Sequence, residues 1–102
     1  MGHVAACAVR YWNGRWPWGD REVLAELERS DSVDDRLAAD EIGQLKTAAF
    51  EWMEATTPVD WASREVKAAL LRQLKTKFPW CDDLVLTRAW EWLSWLGWHD
   101  GY

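Results

Sequence analysis

The sequence predicts an all-α domain: four to five helices in a bundle around a Trp-rich C-terminal helix, with the N-terminal segment a helix or short hairpin. Three observations predict it. Apolar residues recur at spacings of three and four from Val23 to Leu96. Helix-capping residues, Asp20, Ser32, Thr57 and Asp82 or Asp83, stand before these runs. The 102 residues make a single domain, 1–102. Such a chain folds from about 17,000 Å² of accessible surface to about 6,000 Å². Ten tryptophans at roughly 200 Å² each need only about a fifth of the difference, so any exposed indole needs a reason other than lack of room.

The first 19 residues allow two forms. As a hairpin on Asn13-Gly14, Tyr11 lies opposite Trp16 and Val9 opposite Trp18. As a helix, Val4, Cys7, Ala8 and Tyr11 share one face and Gly14 closes the end. The alanines and the helical character of the rest of the chain favour the helix. Asp20 then caps a short helix to about Arg29, with Val23, Leu24 and Leu27 inward.

Ser30-Asp31-Ser32 interrupts the pattern. Ser32 and Asp35 resemble a capping box with Asp in the Glu position, opening a brief helical turn, and Asp40 offers a second start. From Glu41 to Ala55 the buried stripe is Ile42, Leu45, Ala49, Trp52 and Met53, with Asp40, Glu51 and Glu54 outside. Thr57-Pro58 reads as a cap followed by the first residue of a helix reaching Phe78. That helix would bury Val59, Ala62, Val66, Leu70 and Leu74 and line up Trp61, Arg64, Ala68, Arg72 and Lys75 opposite.

Pro79 ends it, and the last helix follows. Pro79 to Trp98 holds five tryptophans. Val85, Leu86, Ala89, Trp90, Trp92, Leu93 and Leu96 span an apolar arc of roughly 160°. Trp95 and Trp98 fall instead among Thr87, Arg88, Glu91 and Ser94. Three covers suit Trp61, Trp95 and Trp98: residues 1–19, a partner protein, or a stacked ligand or single-stranded base.

Composition excludes several functions. A net charge of −5 disfavours direct binding of nucleic acid, whose phosphates attract basic proteins. Residues 20–60 carry twelve acidic and four basic side chains, net −8; residues 61–78 carry five basic and one acidic, net +4. Two cysteines form no disulfide framework. No signal peptide is expected, since the first residues lack a basic n-region and their longest apolar run, Val4 to Val9, is short, and the Trp-rich helix carries Arg88 and Glu91 and is too short to cross a bilayer. The expected setting is cytoplasmic, in a prokaryote or virus.

Chemistry is sparse. Cys81 precedes a helix start, where thiolate is favoured, but His99 lies more than about 20 Å away along a continuous helix. His3 and Cys7 share a helix face at i, i+4, yet two further ligands at supporting spacing are missing. No metal, cofactor or catalytic residue is therefore expected, and the six glycines form no phosphate loop.

What remains is a binding protein without enzymatic activity: an acidic inhibitor, immunity or anti-defence factor, or accessory subunit that occludes a larger protein with a basic surface. Asp31, Asp34, Asp35, Asp40, Glu51 and Glu54 would steer it, and Trp95 and Trp98 would anchor it. Self-association through the Trp-rich helix is a further arrangement the sequence allows. The alternative is a ligand- or single-stranded nucleic-acid-associated module using Trp61, Arg64, Arg72 and Lys75.

Overall fold

The computed structural model describes residues 2–13 and 19–100. Among them it contains five helices: α1 (His3–Tyr11), α2 (Arg21–Arg29), α3 (Val33–Thr56), α4 (Arg64–Lys77) and α5 (Asp83–Asp100). The described part of the N-terminal segment is thus a helix. The aromatic residues Trp16 and Trp18 and the proposed end at Gly14 lie outside the described residues. The Asp20 amide donates to the Tyr11 carbonyl at 2.7 Å. Gly19 has φ +90° and lies against the Tyr11 ring, a conformation that a side chain would strain.

Local signals place four of the helix starts. Asp20 accepts from the amides of Glu22 and Val23 to open α2. Ser32 accepts from Asp35 at the head of α3. Ser63 accepts from Val66 at the head of α4, and Asp82 accepts from Val85 at 2.9 Å to open α5. Each bond satisfies one of the amides that a helix leaves unpaired at its start.

Two boundaries differ from the sequence expectation. No second helix begins at Asp40: α3 runs unbroken through 24 residues, and the Asp40 carboxylate accepts from Gln44 one turn later. With no proline between Ser32 and Thr56, nothing removes a backbone donor and the turns continue. Nor does Thr57 open the next helix, because its hydroxyl donates backward to the Met53 carbonyl at 2.8 Å and so closes α3. Residues 58–63 are an irregular connection with a turn at 61–62, where the Asp60 carboxylate accepts from the Ala62 amide. Val59 is buried as expected, while Ala62, placed inward by a helical reading, is exposed. The capping box is also only half formed. Asp35 turns its carboxylate to Ser30 and His3 and leaves the Ser32 amide to the Ser30 hydroxyl.

The longest helix, α3, touches all four others, and α5 packs against α1, α3 and α4. Ile42, Leu45, Ala49 and Met53 of α3 meet Leu70 and Leu74 of α4 and Val85, Ala89 and Leu93 of α5 in one core. A fully buried side chain such as Leu45, Leu70 or Leu93 contributes about 1.5–3 kcal/mol through area removed from water. Trp12 joins α1 to α5 through Trp92, with ring centroids 5.7 Å apart. Its buried indole N–H finds no acceptor among the described residues. Trp80 ties the α4–α5 connection to α3 by donating from Nε1 to Glu41 at 3.0 Å.

Candidate functional site

The core takes one side of α5 and leaves the other in solvent. Val85, Leu86, Ala89, Trp90, Trp92 and Leu93 are buried, as the apolar arc predicts, and Leu96 is half-buried. On the outer side, Leu84, Arg88, Glu91, Trp95 and Trp98 fall within about 40° of one line at 100° per residue. Leu84 is 42% exposed and Trp98 82%. Trp95 is half-buried. His99 stacks on it with ring centroids 4.1 Å apart and bonds its carbonyl through Nδ1 at 3.0 Å. Arg88 and Glu91 form a long ion pair at 3.9 Å within the stripe. The outer face of α5 is therefore a row of two indoles and a leucine with a charged pair between them.

The acidic residues divide. Asp31, Asp34, Asp40, Glu51 and Glu54 are exposed on or just before α3. Asp35 is committed within the molecule: His3 Nε2 is 2.7 Å from its Oδ1, and the Ser30 hydroxyl donates to its Oδ2 at 2.6 Å. The bond from Ser30, followed by that from His3, holds the Asp35 carboxyl below the usual carboxylate range.

Of Trp61, Arg64, Arg72 and Lys75, the three cations are exposed on α4 and Trp61 stands apart from them. Trp61 lies before α4 and packs inward, 5.4 Å from the Trp90 ring and directly over Gly97. Lys75 folds over the start of the α4–α5 connection, donating to the carbonyls of Pro79 and Cys81. Arg64 and Arg72 stay exposed on α4.

The thiols are both buried. Cys81 precedes α5, but burial pushes its pKa up to about 12, with Asp82 and Glu41 adding to the shift and Lys75 opposing it. The environment therefore favours the thiol over the thiolate that the helix start alone would favour. The Cys7 thiol is raised as well, by burial and then by Asp35, against the pull of Arg10.

Cys7 does have a neighbour with chemistry, because Sγ lies 3.7 Å from His3 Nε2. With an Asp35 carboxylate oxygen, the three ligand atoms lie within 4.8 Å of one another. Spacing in the sequence gives the first two and misses the third, 32 residues away. The Ser32 cap fixes Asp35 in the first turn of α3, but nothing in the pattern says that this turn faces α1.

Comparisons with protein-family models, curated proteins and solved structures match nothing to this chain. No described helix is long and apolar enough to cross a membrane.

Proposed function

We propose that this protein binds a larger protein through the outer face of α5, acting by occlusion as an inhibitor, immunity or anti-defence factor, or accessory subunit. The observation that carries the reading is Trp98, with 82% of its surface exposed in a domain that has room to bury it. Tryptophan and arginine are the commonest anchors of protein interfaces, and Trp98, Trp95 and Arg88 lie on the same outer stripe. An exposed indole beside a half-buried one on the same helix face gives such a partner an aromatic patch to cover. The exposed acidic residues Asp31, Asp34, Asp40, Glu51 and Glu54 give the partner its chemistry, a basic surface approached under electrostatic attraction. Asp35 drops out of this set, since both its oxygens are engaged inside the molecule.

The test is affinity capture from the native host with the wild-type chain beside Trp98→Ala. The expected result is a partner recovered in stoichiometric amount by the wild type and lost from the variant, with affinity reduced by about 30-fold or more, equivalent to about 2 kcal/mol or more. Charge reversal at Asp34 and Glu51 should slow association and flatten its salt dependence. A stable monomer that captures nothing, or equal capture by Trp98→Ala, would defeat the proposal.

A further inference from the structure

We propose that His3, Cys7 and Asp35 form a zinc-type divalent metal site that clamps α1 to α3. His3 and Cys7 stand one turn apart on the same face of α1, and Asp35 reaches them from the first turn of α3. The donor set, imidazole, thiolate and carboxylate, is one that suits Zn²⁺. With Zn–N and Zn–O near 2.0 Å and Zn–S near 2.3 Å, a tetrahedral ion separates its ligand atoms by about 3.3–3.6 Å. Here Nε2 and Sγ are 3.7 Å apart, Nε2 and Oδ1 2.7 Å, and Sγ lies within 4.8 Å of an Asp35 carboxylate oxygen, so side-chain shifts of about 1 Å accommodate the ion.

The alternative chemistry for Cys, His and Asp together is a nucleophile, a base and an orienting acid. In that arrangement the thiol meets one imidazole nitrogen and the carboxylate the other. In this protein both meet Nε2. One nitrogen cannot take the cysteine proton while donating to Asp35, but a cation at that meeting point can bind all three. Charge balances too: thiolate and carboxylate neutralise a divalent ion, with water in the fourth position. Binding forms bonds to Sγ, Nε2 and Oδ1, releases the Cys7 proton to solvent, opens the His3–Asp35 hydrogen bond and shifts the neutral imidazole's proton from Nε2 to Nδ1 by exchange with water.

The surroundings fit a built site. The Ser30 hydroxyl holds Asp35 Oδ2 at 2.6 Å and leaves Oδ1 for the ion, the outer support usual for a ligating carboxylate. Cys7 is buried, while half of the His3 side chain is open to solvent and gives a path of entry. Arg10, one turn beyond Cys7 on the helix, is partnered by Glu26 at 3.3 Å, which offsets its charge.

Cobalt(II) is the probe, added to metal-free full-length protein and then displaced by zinc. The expected result is one ion per chain, with tetrahedral visible bands and a near-ultraviolet thiolate-to-cobalt transition that zinc abolishes. His3→Gln, Cys7→Ser and Asp35→Asn should each weaken binding by about 100-fold or more, and Cys7→Ser should remove the thiolate transition. Ser30→Ala should weaken binding by about 10- to 100-fold, and His99→Gln should leave it unchanged. Circular dichroism identifies any variant that fails to fold. If Cys7→Ser does so, His3→Gln, at an exposed position, decides. Absence of the thiolate transition at stoichiometric cobalt, or undiminished affinity in folded His3→Gln, would overturn the site.

Discussion

Two glycines show how one atom sorts by context. A Cβ on Gly97 would lie 2.1 Å from Trp61 Cζ2, whereas one on Gly43 would meet nothing within 4 Å. Both sit inside helices, where Ala is intrinsically better by about 1 kcal/mol. Gly43→Ala should therefore stabilise the protein by about 0.5–1 kcal/mol, and Gly97→Ala should destabilise it by about 1–3 kcal/mol as Trp61 is displaced. Paired urea denaturations would measure both. Cys81 sets a second expectation at this scale. Its folded pKa of about 12 stands above the ordinary 9.0, so above pH 9 the unfolded chain gives up the proton while the folded chain keeps it. The stabilisation is complete below that pH and is lost as pH rises through the folded value. Wild type should lose more stability than Cys81→Ala between about pH 8 and pH 10.5 in chemical denaturation.

Among the elements, the caps give the sharpest comparison. Ser63 and Asp82 each satisfy a first-turn amide, and Ser63→Ala and Asp82→Ala should each cost about 1 kcal/mol. Asp40, a cap on the sequence reading, lies within α3 and contributes a surface bond to Gln44. Asp40→Ala should stay within about 0.5 kcal/mol of wild type. Thermal melts of the three variants test whether α3 is one helix or two. The helix starts expected at Asp20, Ser32 and Asp82 are the ones observed, each with a side chain that supplies a local acceptor. The expectation fails at Thr57-Pro58, where the same residue types can end one helix or begin another. That choice depends on which carbonyl lies within reach of the Thr57 hydroxyl, and Met53 wins it.

For the whole molecule, the question is how ten tryptophans are distributed between core and surface. Trp90, at 8% exposure, packs on Trp61 and belongs to the core; Trp98 stands outside. Trp90→Ala should cost about 3–5 kcal/mol of folding stability, and Trp98→Ala less than about 0.5 kcal/mol, as calorimetry would show. A substitution that leaves folding intact while removing partner capture separates binding from architecture.

The helical character of the chain, the buried arc of α5 and the position of Trp95 and Trp98 off that arc are all legible in the residue pattern. These follow from short-range order: periodicity and capping act over three or four residues and need no knowledge of the rest of the chain. Packing between helices is what turns Trp61 inward onto Gly97, brings Lys75 to the carbonyls of Pro79 and Cys81, and sets Asp35 facing His3 and Cys7. The His3–Asp35 contact joins residues 32 positions apart. Its geometry depends on how α1 and α3 pack together, and no local spacing encodes that.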